Sequence, residues 1–303
     1  MSKKTKVLWT LVSAVTGGGF FLGEKCFQLI VRKRPQEEAG TIRKNTPKGR
    51  RTDVRLLSID QLRLHAIYLE PEEKEVPHRY CILLHDTKSR AEDLFPYATH
   101  YLAQGRRVLI PDFKGHGESD GTFYGYGYDD RYDVLTLVHW ILKRDPDAKI
   151  VLHGLGTGAA AALFALPEHM PGAVYAVISD SSYVTLTEYL SRILRYVYPS
   201  KLPLKLRLFA LRLVTRIRAG YDIGKADVRA ALECATTPVL FLHGDADTQL
   251  HADCAKRLYA AAHCTRQLSI ILGAGHLKSI EVNGAHYWSQ IDAFMKKHDP
   301  DRP

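Results

Sequence analysis

The chain has 303 residues, of which 46% are hydrophobic and 25% charged, a balance that fits one sizeable globular core plus a tail and excludes a disordered or fibrous chain. Its formal net charge of +9 is no nucleic-acid signature, because residues 1–55 hold 13 of the 42 Lys and Arg and only 4 of the 33 Asp and Glu, leaving a neutral body. Five cysteines, Cys26, Cys81, Cys234, Cys254 and Cys264, stand at irregular spacing and give no disulfide framework.

The chain opens with Lys3, Lys4 and Lys6, runs apolar from Val7 to Leu22, and continues through Cys26, Phe27, Leu29, Ile30 and Val31 to Arg32, Lys33 and Arg34. Counted from Val7 to Val31 this is long enough to cross a bilayer, although Gly17 to Gly19 and the Gly23, Glu24, Lys25 interruption weaken it. Residues 1–31 are therefore expected to be a hydrophobic anchor that attaches the protein to a membrane; a cleaved signal peptide and an amphipathic tether are the alternatives. Basic residues on both sides leave its orientation open. Residues 32–53, with Pro35, Pro47 and many charges, read as a basic linker.

From residue 54 to residue 298, short apolar runs bounded by turns recur between segments of helical period. Val54–Ser58, Leu62–Leu69, Tyr80–His85, Arg107–Pro111, Ile150–His153, Tyr175–Ser179, Pro238–His243 and Leu268–Leu272 read as eight strands. Helical periods fall over Asp130–Lys143, Thr157–Leu166, Asp253–Ala262 and Ala285–Lys297. This alternation predicts an α/β fold, a mostly parallel eight-stranded sheet with helices on both faces, with the first two strands a hairpin at one edge. One insertion, at about residues 183–232, breaks the rhythm after the sixth strand and reads as a short helical cap. Within it, residues 192–218 carry eight basic residues and no acid, interleaved with leucines. That pattern suits either a solvated outer face or a surface that holds anionic groups.

The chemistry concentrates where the fifth strand meets a helix. Ile150–His153 is followed by Gly154, Leu155, Gly156, Thr157 and Gly158 and then by Ala159–Leu166. A nucleophile presented at a sharp strand-to-helix turn has the pattern GxSxG, whose small flanking residues let the backbone pass. Gly154 and Gly158 match that pattern, and Gly156 stands in the serine's place. Elsewhere lie Leu84 and His85 at the end of the third strand; Pro111, Asp112, Phe113, Lys114, Gly115, His116, Gly117, Glu118 and Ser119; Phe241, Leu242, His243, Gly244, Asp245, Ala246 and Asp247; and Gly273, Ala274, Gly275 and His276.

In their order and spacing these motifs resemble the α/β-hydrolase superfamily, specifically small membrane-anchored bacterial members of the serine aminopeptidase-like or acyl-thioesterase-like group. The resemblance covers roughly residues 54–298. It implies Asp247 as the acid and His276 as the general base of a triad, and the backbone amides of Thr87 and Thr157 as its oxyanion hole. It departs at Gly156, which has no heteroatom to form an acyl-enzyme. It departs again at Asp86, where relatives have glycine; a carboxylate there would oppose a developing negative charge if it pointed inward. Gly117, Glu118, Ser119, Asp120 and Gly121 also spell GxSxG, but the following Thr122–Gly127 has the composition of a loop, so Ser119 is rejected as nucleophile.

The chain is thus expected to be related to serine esterases, thioesterases and peptidases, impaired as written, a pseudoenzyme that retains a pocket for a small acyl or peptide-like ligand. The alternatives are an active serine hydrolase in which the serine has been replaced, and a noncovalent route in which His276 and Asp247 activate water directly; Gly156→Ser is expected to restore reaction with a fluorophosphonate. No cofactor or nucleotide signature is present, and His251, Cys254, His263 and Cys264 lack the spacing of a zinc site. Neither substrate nor oligomeric state is readable.

Overall fold

A computed structural model describes residues 18–33, 46–72 and 76–301. Eight strands form one sheet: β1 (Arg50–Leu57), β2 (Arg63–Glu70), β3 (Arg79–Leu84), β4 (Arg107–Pro111), β5 (Lys149–Leu155), β6 (Val174–Asp180), β7 (Val239–Gly244) and β8 (Arg266–Ile271). Their order is β1-β2-β4-β3-β5-β6-β7-β8. β1 and β2 pair antiparallel, β2 meets β4 antiparallel, and all later pairs are parallel. The first strand begins at Arg50, inside the segment expected to be linker, because Arg50–Asp53 continue the hairpin ladder opposite Glu70–Ile67.

β5, β6 and β7 are apolar along almost their whole length because both their faces are covered. On one face Val151 joins a cluster with Tyr101 and Leu102 of α2 (Phe95–Ala103) and Ile291 and Phe294 of α9 (Ser279–Lys297). The other helices of this unit are α3 (Arg131–Leu142), α4 (Thr157–Ala165), α7 (Val228–Glu233) and α8 (Asp253–Ala261). α4 begins against the end of β3: a Cβ on Gly158 would meet the His85 carbonyl oxygen at 2.6 Å and that of Leu84 more closely. Only glycine allows this approach.

The chain divides into two compact units. One holds Lys33–Val184 and Asp227–Pro303; the other joins the residues up to Arg32 to Thr185–Ala226. The second unit contains α1 (residues 18–30), α5 (Leu186–Val197) and α6 (Leu204–Arg218). α5 starts at Thr185, whose side chain accepts the Glu188 amide at 3.2 Å. In α6 the basic residues are partly spent internally. Arg212 pairs with Asp222, Arg218 reaches Glu24 at 3.3 Å, and Arg207 is buried and donates to the Tyr198 carbonyl. Leu206, Phe209, Leu213 and Ile217 of α6 are exposed.

This unit overturns the expected membrane anchor. No helix among the described residues is long and apolar enough to cross a membrane, and residues 1–17, where the expected span begins, lie outside them. The helix that is described covers residues 18–30, a rise of about 20 Å against a hydrocarbon core of about 30 Å. Cys26, Phe27, Ile30 and Val31 are buried in the protein. Gly23 lies so near α6 that a Cβ there would overlap the Ala210 carbonyl and the Val214 side chain. Within residues 18–31 the apolar positions are those of a helix packed on another helix.

Candidate active site

The parallel register aligns the carboxyl ends of five strands. Leu84 pairs with Gly154, Leu155 with Asp180, Asp180 with Leu242, and Gly244 with Ile271. The loops that follow these ends carry Asp86 and Thr87, Gly156 and Thr157, Asp247, and His276, so the residues singled out in the sequence all stand at one edge of the sheet.

The turn after β5 has the shape of a nucleophile elbow. Gly156 has φ 56° and ψ −115°, a left-handed conformation that an L-residue adopts only under strain. Its amide donates to the Asp180 carbonyl at 2.9 Å, and its own carbonyl accepts from Ala160 at 3.2 Å. The corner is thus tied to the end of β6 and to the first turn of α4.

Asp86 points inward. Its Oδ1 accepts the Thr157 amide at 3.0 Å and the Thr157 hydroxyl at 3.2 Å, and its Oδ2 accepts the Lys88 amide at 3.3 Å. A Cβ built on residue 156 would fall 2.8 Å from Asp86 Cγ and nearer still to Oδ1. The carboxylate therefore occupies the space a residue-156 side chain would take. The Thr87 amide, the second expected to face an oxyanion, is also engaged, since Thr87 N–H donates to Thr157 Oγ1 at 2.8 Å and the two threonine hydroxyls bond each other at 2.8 Å. Both amides expected to await an oxyanion are bonded within the protein.

Two histidines whose part the sequence did not disclose hold this loop. His85 Nε2 accepts the Phe113 amide at 3.0 Å, so its Nδ1 carries the proton and donates to the Asp86 carbonyl at 2.8 Å. Burial lowers its pKa and keeps it in this neutral form. His116 lies between the Thr87 and Lys114 carbonyls at 3.0 and 3.1 Å; burial pushes its pKa down to about 3. Both residues appear in the sequence motifs, yet spacing says nothing about which carbonyl an imidazole will meet.

On the next strands Asp247 Oδ2 and His276 Nδ1 are 2.7 Å apart. Asp247 Oδ1 accepts the amides of Gln249 and Leu250, each at 2.8 Å, and its Oδ2 lies 3.2 Å from His243 Nε2. Burial opposes its charge, but His243, His276 and the Leu250 amide hold it well below the usual carboxylate range. For His276 burial again opposes the charged form, yet the hydrogen bond and charge of Asp247, with the charges of Asp86 and Asp180, raise the imidazole pKa above its ordinary value. Asp180 is buried, which raises its own pKa; it accepts from Ser181 Oγ at 2.8 Å and Tyr287 Oη at 2.9 Å.

Ser119, the serine of the second GxSxG, is held as a structural residue. Its hydroxyl donates to the Asp112 carbonyl at 2.6 Å and accepts the His65 amide at 2.8 Å.

No family model matches the chain. An uncharacterized protein of Bacillus subtilis (strain 168), YqkD, is 25% identical over 308 residues, covering 97% of each chain. The Pyrococcus furiosus esterase Pf2001 superposes with a TM-score of 0.66 at 22% identity over 82% of this chain and 92% of its own. An alpha/beta hydrolase, GrgF, from Penicillium sp. sh18 gives 0.63 at 18% identity over 82% of this chain and 99% of its own. The Pyrococcus horikoshii acylaminoacyl peptidase gives 0.61 at 17% identity over 86% of this chain and 43% of its own. Together with the sheet order and the helices on both of its faces, these likenesses show that the chain has the α/β-hydrolase fold.

Proposed function

We propose that this is an α/β-hydrolase-fold protein whose catalytic corner is organised around a carboxylate instead of a serine. It holds a small acyl or peptide-like ligand beside the Asp247–His276 pair and forms no acyl-enzyme at residue 156. The observation that carries this reading is Asp86 Oδ1, seated on the Thr157 amide in the space a residue-156 side chain would fill. A lone serine-to-glycine replacement would leave an empty corner lined by free amides. Here the glycine and the carboxylate fit one another, which favours a centre built without serine over an active serine hydrolase that lost one residue. The esterase and peptidase likenesses bear on ligand class by analogy of fold alone.

The test is labelling by a fluorophosphonate together with hydrolysis of p-nitrophenyl butyrate. The chain as it stands and Gly156→Ser are both expected to be silent, because the new side chain meets Asp86. Gly156→Ser combined with Asp86→Gly should be labelled at residue 156. Full labelling of the single variant would show that Asp86 does not hold that place and would return the replaced-serine reading. Thermal shift with fatty acids, acyl-CoA and short peptides tests the ligand, since a ligand at 100 times its Kd stabilises by about 2.7 kcal/mol; no shift across the set removes that part of the proposal.

A further inference from the structure

The unit that joins the residues up to Arg32 to Thr185–Ala226 has a charge balance of its own. Residues 1–32 and 185–226 hold 14 Lys and Arg against 3 Asp and Glu, while the rest of the chain holds 28 against 30. The whole positive excess therefore belongs to this unit. Two of its three acids are already engaged, Asp222 by Arg212 and Glu24 by Arg218, so most of the surplus has no acid within the unit to meet it.

α6 adds an apolar face to that charge. Its 15 residues stop short of Gly220, whose φ of 79° ends the helix. Ala210, Leu211 and Val214 are buried, with Gly23 of α1 against the Ala210 carbonyl. The side facing water should then be polar, yet Leu206, Phe209, Leu213 and Ile217 stand there, 45–67% exposed. At 3.6 residues per turn the four share an arc of about 80° and a ridge of about 17 Å. Lys205, Arg212 and Arg216, all exposed, fall along one flank of that arc. Eight of the twelve large apolar side chains exposed among the described residues lie in this unit, which sets the patch apart from the single exposed leucines of any surface.

Whatever covers this ridge must accept apolar groups and cations side by side. A second copy would bring an equal positive charge against it, and nucleic acid would meet the cations while leaving the leucines in water. An anionic bilayer surface takes both, with the apolar tips at the boundary of headgroups and acyl chains and the cations among the phosphates. We propose that α6 docks this protein peripherally on membranes that carry anionic phospholipids, whatever the chemistry at residue 156. The helix lies along the surface and crosses nothing, and α1 stays packed against it. Of the two readings open to the basic run in the sequence, a solvated face and a surface for anionic groups, the exposed apolar ridge favours the second.

The experiment sediments the full chain with vesicles of phosphatidylcholine alone or of phosphatidylcholine and phosphatidylglycerol in equal parts. Binding is expected to the mixed vesicles only, and it should fall steeply at about 1 M salt, where the screening length is about 3 Å. Lys205→Gln with Arg216→Gln should weaken partitioning about 25-fold, at roughly fivefold for each cation near the surface. Phe209→Ser with Leu213→Ser should weaken it by on the order of 100-fold. All four side chains are exposed, so both pairs should keep the parent's urea midpoint. Phe209→Trp gives a readout that needs no lost binding: its emission, with the parent's subtracted, should shift to the blue on mixed vesicles and be quenched by brominated acyl chains. No sedimentation with mixed vesicles, equal binding to phosphatidylcholine alone, or unchanged binding in both α6 pairs overturns the inference. A lipid-independent dimer that Phe209→Ser with Leu213→Ser abolishes would assign the ridge to a second copy and overturn it as well.

Discussion

Asp86 and residue 156 compete for one volume, and that competition has a measurable size. Gly156→Ala places an L-residue at φ 56°, which costs about 1–3 kcal/mol for a sparsely populated backbone region. It also drives Asp86 Oδ1 off the Thr157 amide, a charge-assisted bond worth about 1.5–3 kcal/mol. Asp86→Ala loses the second contribution by itself and removes the overlap. In that background Gly156→Ala costs only the backbone strain, so the double variant should be more stable than the sum of the singles by about 1.5–3 kcal/mol. Equilibrium urea unfolding of the four chains measures this, with the slope checked so that a midpoint shift is read as stability. Additivity within about 0.5 kcal/mol would mean the two positions do not touch, and the carboxylate could not be standing in the nucleophile's place.

The His276 imidazole should titrate above its ordinary value of about 6.5, as followed by its ring-proton NMR resonance, and Asp247→Asn should bring the midpoint down; an unmoved midpoint would show that Asp247 is not its partner. The same pair fixes a pH window for stability. Asp247 is depressed, so its contribution is lost as pH falls below about 4, and His276 is raised, so its contribution is lost as pH rises through its folded value. The stability gap between the parent and Asp247→Asn should therefore be widest between about pH 4 and 6.5, and a gap that widens further above pH 8 would contradict this. Lys114 is buried with Asp60 at 2.6 Å and Asp129 at 2.9 Å; Lys114→Met should cost about 3–5 kcal/mol in urea unfolding, and a loss under 1 kcal/mol would refute the buried network. Gly23→Leu should part α1 from α6 and loosen the helix around the exposed Lys25 so that trypsin cuts there, whereas an unchanged digestion pattern would remove the close approach.

The sheet was legible because its evidence is local. Runs such as Val239–Leu242 are apolar at every position only where both faces are covered, and all eight predicted runs overlap a strand. α2 escaped notice because His100 interrupts its pattern, and the pairing of His100 with Asp292 lies 192 residues away in sequence. The terminal segment misled because apolar spacing reports burial, not its medium: Phe27 and Ile30 would look the same against lipid or against a neighbouring helix. In the candidate site, the elbow, Asp247 and His276 are found by order along the chain. The direction in which Asp86 points is not, since it follows from two imidazole-to-carbonyl bonds and an amide contributed by a residue 71 positions away.

Why the chain turns so sharply at Gly156 has a physical answer in its packing. Gly154 and Gly158 stand too close to Ala159 and to the end of β3 for any side chain, and the Gly156 amide is held by Asp180. The backbone path is therefore fixed by strands β3 and β6 and by α4, whatever occupies position 156. With glycine there, the left-handed turn carries no strain, but the first amide of α4 still needs an acceptor and its helix end favours negative charge. Asp86 meets both needs permanently. A transient acyl oxyanion would have to evict that carboxylate from the same amide and then sit beside it, charge against charge. Serine chemistry and Asp86 are alternatives for one electrostatic seat, so a hydroxyl added at residue 156 without emptying the seat should bring no acyl transfer.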